Sequence, residues 1–318
     1  MNFGVIGCGA VGLTVACKLG LAGHEVHIHS NDPKQTRQLA REEVDLGGVF
    51  DQRYTFKHVH KDLKSFLSKR YDMIFIAVKT PSLEELLDDM LALGLQGTPM
   101  MSCQNGIATE TEIAQRFGEE NAWRMVINFA GNCLEATVVK IHFFHPPNYI
   151  SCLSPAGADF GHMLEGEFTR VGLETRYKDN IKGEIFQKVI LNCSLSGVCA
   201  LTRMTMGAAM SDEPVVDIVR KLLLEGMKIA HLEGANLGDD YFHNAMKYLG
   251  TAGNHKPSML VDIENGLATE IEFLNYQLIK LAEQHGEFVP FTRSITALVR
   301  ALDHTVRINS DGNGNGIG

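Results

Sequence analysis

Three glycines near the N-terminus have a spacing typical of a phosphate-binding turn. They lie in the segment Gly7-Cys8-Gly9-Ala10-Val11-Gly12, which follows the apolar run Phe3–Ile6 and precedes the helical pattern Val11–Leu21. In such a strand–turn–helix unit the first glycine permits the turn, the second lets a pyrophosphate approach the backbone, and the third lets helix and strand pack closely. The N–H groups at the helix start then face the phosphates. The segment predicts a dinucleotide site formed by Gly7, Cys8, Gly9, Ala10, Val11 and Gly12.

The residues after the second predicted strand, Glu25–His29, bear on the choice between NADP and NAD. NAD sites usually place an acidic residue directly after this strand, where it binds the ribose hydroxyls. Here the first acid, Asp32, comes later. We therefore expect NADPH rather than NADH, with the 2′-phosphate held by Ser30, Asn31, Lys34 and Arg37. The alternative is that Lys34 and Arg37 are solvated residues of the next helix.

A second set of polar residues has the spacing of one helix face. Lys188 and Asn192 are four residues apart in the helical pattern Ile185–Leu195, and Ser196 continues the same face. A lysine in so apolar a stretch is either a surface residue whose stem lies along apolar side chains or a buried functional group.

Four further polar residues have positions compatible with a ligand. Lys79 and Asn105 each follow a predicted strand, and ligands of open α/β sheets bind at the carboxyl ends of the strands. Ser258 and Glu270 are equally explained as a helix-start serine and a first-turn glutamate. Taken singly, each of the four is also compatible with a position that binds nothing.

The elements that must position these residues change character along the chain. In the first part, apolar runs such as Met73–Val78 and Pro99–Cys103 alternate with helical patterns, which predicts a Rossmann-type doubly wound parallel sheet. The second part is predicted as all-α, with helices over Ile185–Leu195, Val215–Glu233, Asp240–Tyr248 and Glu270–His285. We therefore expect a dinucleotide-binding domain over residues 1–179 and a helical substrate domain over residues 180–308.

Local patterns set two further expectations for the second domain. Thr269-Glu270-Ile271-Glu272 has the form of a capping box, which predicts a helix start at Glu270. Its apolar stripe is Ile271, Leu274, Leu278 and Leu281. The last segment, 309–318, is rich in glycine and asparagine and is predicted to be a disordered tail.

Composition and charge exclude several classes of function. A net charge of −9 argues against a nucleic-acid partner. The seven cysteines form no Cys-x-x-Cys pair, so neither disulfides nor a zinc site is expected, and the histidines lack metal-ligand spacing on a helix. Apolar runs are far shorter than a membrane span, and no signal peptide is apparent. We expect a soluble, cytoplasmic protein with no metal and no membrane partner.

In combination, these segments resemble the ketopantoate reductase (2-dehydropantoate 2-reductase) family over nearly the whole chain. The resemblance rests on segments in both predicted domains and on their order and spacing. They are Gly7–Gly12, Ala77-Val78-Lys79, Gln104-Asn105-Gly106, Lys188-Val189-Ile190-Leu191-Asn192-Cys193, Pro257-Ser258-Met259-Leu260-Val261-Asp262, Thr269–Glu272, Gly286 and Val289-Pro290.

The resemblance implies hydride transfer from NADPH to the ketone of an α-keto acid, most directly ketopantoate, to give pantoate. Lys188 matches the family's general acid, and a desolvated ammonium has a pKa lowered toward neutrality, which suits it to donate a proton. Glu270 matches a glutamate that helps hold the substrate and the lysine. Lys79 matches a lysine near the cofactor, and Asn105, Asn192 and Ser258 match substrate-binding residues. Ser196 is expected to bind the substrate beside Asn192, and Asn105 is expected to contact the cofactor as well. A homodimer through the helical domain is also implied.

Two departures from the family pattern leave alternatives open. Ser196 stands where many members carry a second asparagine, which puts ketopantoate itself in doubt as the substrate. Asn31 stands where some members place an arginine for the 2′-phosphate. The alternatives are a sister reductase of another small 2-oxo acid or related carbonyl compound, and a catalytically silent dinucleotide sensor. A sensor would have no need of a lysine, an asparagine and a glutamate at the family's spacing.

Overall fold

The computed structural model describes the backbone of residues 1–312 and the side chains of residues 1–305. The chain divides into two compact units. The first unit comprises Met1–Gln104 and Ala108–Ile181. The second comprises Asn105–Ile107 and the chain from Lys182 onward, so the division falls two residues beyond the expected boundary at 179/180.

Strands and helices alternate along the first unit. Its strands are β1 (Asn2–Ile6), β2 (Glu25–His29), β3 (Val44–Gly48), β4 (Gln52–Tyr54), β5 (His58–His60), β6 (Met73–Ile76), β7 (Met100–Ser102), β8 (Ala122–Val126), β9 (Phe129–Glu135), β10 (Val138–Phe144), β11 (Asn148–Cys152) and β12 (Thr175–Tyr177). Its helices are α1 (Ala10–Leu21), α2 (Pro33–Leu39), α3 (Leu63–Leu67), α4 (Leu83–Ala92), α5 (Thr109–Phe117) and α6 (Ala158–Arg170), with short 3₁₀ turns at Thr80–Ser82, Glu119–Asn121 and Pro155–Gly157.

The main sheet is doubly wound. Its eight strands have the order β12-β11-β8-β7-β6-β1-β2-β5, and every neighbouring pair is parallel except β8 with β11. One apolar cluster joins the sheet to α1 and α6, and another joins it to α3, α4 and α5, so helices cover both faces. Because β6 is covered on both sides, all four of its residues are buried, as its continuous apolar sequence predicts.

A smaller sheet of four strands, β4-β3-β10-β9, also belongs to the first unit. Its central pair, β3 and β10, is parallel and joins segments far apart in the chain. No local sequence pattern indicates this sheet. Gly48, the last residue of β3, has a positive φ of 84°, and a Cβ built on it would overlap the Ile141 carbonyl oxygen of β10. The close approach of β3 and β10 at this point therefore requires a glycine.

The second unit is all-α in the part that the structure describes. Its helices are α7 (Lys182–Thr202), α8 (Met206–Met210), α9 (Glu213–Leu232), α10 (Tyr241–Gly250), α11 (Ser258–Glu264), α12 (Asn275–Gln284) and α13 (Pro290–Gly312). The helix α7 forms the centre and contacts α9, α11 and α13. Glycines permit two of these approaches: a Cβ at Gly226 would lie 2.9 Å from Ile190, and one at Gly197 would lie 2.7 Å from Ile295.

By length and composition α7 also meets the criteria for a membrane-spanning helix. Its window of highest hydropathy is 67% buried inside the unit, which is typical of the central helix of a helical core. The expected α/β domain followed by an all-α domain is confirmed.

The start of α12 differs from the capping-box prediction, which was wrong by several residues. The helix begins at Asn275 rather than Glu270. The Thr269 hydroxyl donates to the buried Asp303 carboxylate at 2.7 Å, and the Glu272 carboxylate pairs with Arg300 at 2.5 Å. Both side chains of the expected capping box therefore have tertiary partners, and residues 271–274 form turns instead. Three residues of the expected apolar stripe are nevertheless buried: Ile271, Leu274 and Leu278.

The last helix extends into the segment expected to be a tail. Its backbone is helical to Gly312, so residues 309–312 belong to α13. The rest of the expected tail, 313–318, lies outside the described residues. At the other end of α13, the Glu225 carboxylate accepts from the N–H groups of Phe291 and Thr292 at 2.9 and 2.7 Å, which satisfies two amides that the helix itself leaves unpaired.

Candidate cofactor and substrate site

The glycine loop joins β1 to α1 with the geometry that its spacing predicts. Gly7 has a φ of 97°, and its N–H donates to the His29 carbonyl at 3.0 Å. A Cβ at Gly7 would lie 2.6 Å from the backbone of Ala77 and Val78, so no larger residue fits there. A Cβ at Gly12 would overlap the Gly7 carbonyl oxygen. These two glycines are therefore required by the fold itself.

Gly9 differs from the other two glycines because its surroundings are open. It is exposed, it is the N-cap residue of α1, and a Cβ built on it meets no atom within 4 Å. No acidic side chain lies in the first turn of α1. A helix N-terminus with open space in front of it and no carboxylate in its first turn suits a phosphate group. The loop thus fits the pyrophosphate of a dinucleotide.

Side chains that the sequence analysis did not single out hold the loop in place. Gln35, on α2, donates from Nε2 to the Cys8 carbonyl at 2.7 Å and accepts at Oε1 from the Ser30 hydroxyl at 2.7 Å. The Cys8 thiol donates to the His29 carbonyl at 3.6 Å, and burial raises its pKa to about 12, so it stays protonated and acts as a donor. A glutamine in a polar helix gives no local signal of this role.

The residues after β2 divide into structural and exposed ones. Ser30 is 6% exposed and hydrogen-bonds Gln35. Asp32 caps α2 by accepting from the Lys34 N–H at 2.8 Å. The side chains of Asn31 and Lys34 are exposed, and so is that of Arg37. The exposed side chains that remain for an adenosine phosphate are thus polar or cationic.

The two residues after sheet strands have different environments. Lys79 is exposed at the start of the 3₁₀ turn after β6. Asn105 is half-buried after β7, in the loop 105–107 that groups with the second unit. Gly106, at a φ of 116°, gives this loop its turn.

A buried polar network in the first unit holds the chain that leads into the loop 105–107. The Ser102 hydroxyl donates to the Gln104 side-chain oxygen at 2.6 Å, and Arg124 donates to Ser102 at 3.3 Å. Arg124 also pairs with Glu110 at 3.6 Å. Burial lowers the pKa of the Arg124 guanidinium, against the opposing effect of the Glu110 carboxylate. No sequence motif indicates this network, because its members are spread over several elements.

The helix α7 places three predicted residues on one face. Lys188 and Asn192 are half-buried, and Ser196 is 7% exposed. Other contacts fix the helix: the buried Asn275 donates to the Cys193 carbonyl at 3.1 Å, and the Tyr241 hydroxyl donates to the Gln187 carbonyl at 2.6 Å. A face held in this way keeps its polar side chains at set positions.

The other predicted residues of the second unit lie on or beside shorter elements. Ser258 is the exposed first residue of α11, which packs against α7. Glu270 is half-buried in the turns before α12, where its carbonyl accepts from Phe273 at 3.0 Å. The structure therefore places every predicted catalytic and substrate-binding residue in one compact unit: Asn105, Lys188, Asn192, Ser196, Ser258 and Glu270.

Comparison with known proteins gives matches over both units. Residues 3–154 match the family described as Ketopantoate reductase PanE/ApbA, and residues 180–303 match Ketopantoate reductase PanE/ApbA C terminal. The 2-dehydropantoate 2-reductase of Lactococcus lactis subsp. lactis is 22% identical, over 96% of this chain and 99% of that protein.

Two solved structures have the same fold. The PanE/ApbA family ketopantoate reductase from Ralstonia eutropha JMP134 superposes with a TM-score of 0.87 at 23% identity, covering 96% of this chain and 100% of that one. D-mandelate dehydrogenase, in a ternary structure with NADH and anilino(oxo)acetate, superposes with a TM-score of 0.85 at 21% identity, covering 96% and 99%. With the open glycine loop, these matches support a nicotinamide dinucleotide as cofactor. The chain belongs to the ketopantoate reductase family of oxidoreductases.

Proposed function

We propose that this chain reduces 2-dehydropantoate (ketopantoate) to pantoate with NADPH. The observation that carries the proposal is the row of Lys188, Asn192 and Ser196 along one face of α7. This row occurs in a chain whose other unit has an open loop for a dinucleotide. Family membership supports the type of reaction, since the matched relatives are 2-dehydropantoate 2-reductases.

In the proposed mechanism, Lys188 is the general acid. The reduced nicotinamide, when bound, supplies a hydride to the carbonyl carbon. Lys188 stabilises the negative charge that develops on the carbonyl oxygen and then donates its proton there, which completes the conversion of the ketone to an alcohol. Its half-buried position among apolar residues of α7 supports this role, because a charge of low solvent exposure stabilises a neighbouring oxyanion more strongly than one in water.

The remaining polar residues are proposed to bind the substrate. Asn105 and Asn192 are half-buried amides that offer hydrogen bonds to the substrate, and the exposed Ser258 hydroxyl offers one to its carboxylate. Glu270 is proposed to hold the substrate and to orient Lys188. Lys79 is proposed to lie near the cofactor.

The preference for NADPH is proposed from the exposed end of β2. The first acid after β2, Asp32, uses its Oδ1 to cap α2, whereas Lys34 is exposed and cationic. Replacing Lys34 with alanine should weaken NADPH binding by roughly tenfold and leave NADH binding unchanged, since a hydrogen bond to a charged group contributes about 1.5 kcal/mol or more. Equal effects on both cofactors, measured by fluorescence titration, would contradict this preference.

A second candidate is reduction of a bulkier 2-oxo acid. Ser196 is shorter than the asparagine expected there and leaves more room, and the structural neighbour D-mandelate dehydrogenase is named for a 2-hydroxy acid with an aromatic ring. The discriminating experiment follows NADPH oxidation with ketopantoate, 2-oxoisovalerate, pyruvate, oxaloacetate and phenylglyoxylate. The highest kcat/KM on ketopantoate supports the first proposal, and the highest on phenylglyoxylate supports the second. Tight cofactor binding without turnover of any acid would indicate a sensor.

We also propose that the chain forms a homodimer. A solved relative with a TM-score of 0.78 is described as a dimeric ketopantoate reductase from Staphylococcus aureus. Large apolar side chains exposed on the second unit, Leu224, Phe288 and Leu298, are compatible with a partner surface. Light scattering coupled to size-exclusion chromatography tests this, and the mass of a single chain would contradict it.

A further inference from the structure

Two neighbouring strands at one edge of the main sheet carry a group of histidines. The edge strand β5 pairs with β2 in parallel, so that His58 lies beside His27 and His60 lies beside His29. Because side chains alternate along a strand, Glu25 lies on the same face as His27. The register therefore brings these imidazoles and the carboxylate together on one face.

Three of these side chains present their donor atoms to a common point. The Glu25 Oε1 lies 2.9 Å from the His27 Nε2 and 3.6 Å from the His58 Nε2. All three donor atoms lie within 4.8 Å of one another. Two ligands of one tetrahedral zinc ion, with bonds of about 2.0 Å, lie roughly 3.3 Å apart. The two distances from the Glu25 Oε1 to the histidine nitrogens, 2.9 and 3.6 Å, lie on either side of this ligand–ligand distance.

A further histidine supports the group from behind. The Nδ1 of the buried His27 lies 2.8 Å from the His60 Nε2, so the ring is held from the side opposite Glu25. A metal-bound histidine usually donates its second ring N–H to an acceptor, and a neutral His60 can accept it at Nε2, which would set the tautomer of His27. Tyr71 packs edge-on against the His27 ring at 5.5 Å and limits its rotation.

We propose that Glu25, His27 and His58 form a binding site for a divalent transition-metal ion of the zinc class. Two imidazoles and one carboxylate suit zinc better than magnesium or calcium, which prefer oxygen ligands alone. The His27 and His58 rings are stacked at 4.3 Å, so one of them must turn to direct its nitrogen at the ion. His58, with 43% of its side chain exposed, has room to do so. Water completes the tetrahedron.

The site is separate from the cofactor loop. It lies in the first half of β2, whereas the loop is held by the carbonyl of His29 at the end of that strand. His27 and His29 are two residues apart, or about 7 Å along a strand. The ion would cross-link the short edge strand β5 to β2. The sequence predicts no metal site, because these ligands come from two strands rather than from one helix.

The test is calorimetric titration of chelator-treated protein with ZnCl₂, for the wild type and for the variants Glu25→Gln and His58→Ala. Both residues are partly exposed, so both variants should fold. The wild-type protein should bind one zinc ion, and the bound zinc should raise its Tm. Each variant should lose at least roughly tenfold in affinity at that site, because removing even an outer partner of a metal ligand commonly costs that much. Zinc should then no longer raise Tm.

A matched control is His162→Ala. His162 is an exposed histidine whose Nδ1 lies 3.4 Å from the Glu165 carboxylate, and this pair includes no second histidine. Loss of the His162 imidazole should therefore leave zinc binding unchanged. Zinc bound with unaltered affinity and stoichiometry by both Glu25→Gln and His58→Ala would overturn the proposal, because the ion would then be held by other groups. A wild type that binds no zinc would overturn it as well.

Discussion

Replacement of Gly9 by alanine separates cofactor binding from folding. The backbone at Gly9 has φ −76° and ψ −175°, which alanine adopts without strain, and the added methyl group meets no protein atom within 4 Å. The variant should therefore differ from the wild type in stability by no more than about 1 kcal/mol, because the restriction of the unfolded chain by alanine offsets the lower preference for alanine at an N-cap. A loss of cofactor binding in this variant would then come from contact between the new methyl group and the bound cofactor, and not from unfolding.

The expected loss follows from the position of that methyl group. It would occupy the open space in front of the helix N-terminus, where a pyrophosphate oxygen is expected to accept backbone hydrogen bonds. Losing one hydrogen bond to a charged group costs about 1.5–3 kcal/mol, which corresponds to a roughly 10- to 150-fold increase in Kd. Fluorescence titration with NADPH measures the Kd, and thermal unfolding measures the stability.

Two other glycines serve as controls. Gly166→Ala adds a methyl group in open space on α6 and should leave the Kd unchanged. Gly12→Ala forces a Cβ into the Gly7 carbonyl and should lower Tm as well as affinity. A Gly9→Ala variant that binds NADPH with the wild-type Kd would refute the assignment of this loop to the pyrophosphate.

Two predictions concern stability. Burial lowers the pKa of Lys18 from 10.5 to about 8. Between these two pH values Lys18 is protonated in the unfolded chain and neutral in the native state. The free energy of unfolding therefore rises with pH in this range. From about pH 8 to pH 10 the wild type should gain roughly 2 kcal/mol relative to Lys18→Met in urea unfolding, and parallel pH profiles would contradict this. Glu225→Ala should lower the free energy of unfolding by about 1–2 kcal/mol, since it uncaps α13, while the exposed Glu213→Ala should change it little. Equal unfolding midpoints of these two variants would count against the capping role.

Local patterns predicted the first strand, turn and helix correctly because their determinants are local. Gly7 is favoured by its positive φ and Gly12 by its contact with the Gly7 carbonyl, both within the first strand–turn–helix unit, and the continuous apolar run of β6 reflects its burial on both faces. The small sheet was not predicted, because β3 and β10 pair across a long stretch of chain. No local periodicity reports such a pairing.

The start of α12 shows how tertiary contacts override a local signal. A capping box needs the side chains of Thr269 and Glu272 for the helix start, but Asp303 and Arg300 hold them instead. In the candidate site, the residues at the spacing of the ketopantoate reductase family could be identified from the sequence. Gln35 and Arg124 were not, because their roles depend on which distant groups they contact.

The most direct test of the proposed reaction is the rate of NADPH oxidation with ketopantoate in Lys188→Met. The account predicts a loss of about 100-fold or more in kcat, the usual contribution of a positioned acid, with an unchanged Kd for NADPH. The control is Lys182→Met on the same helix, where the lysine pairs with Glu233 at 3.2 Å and should be dispensable for turnover. A Lys188→Met enzyme with the kcat of the wild type would contradict the account.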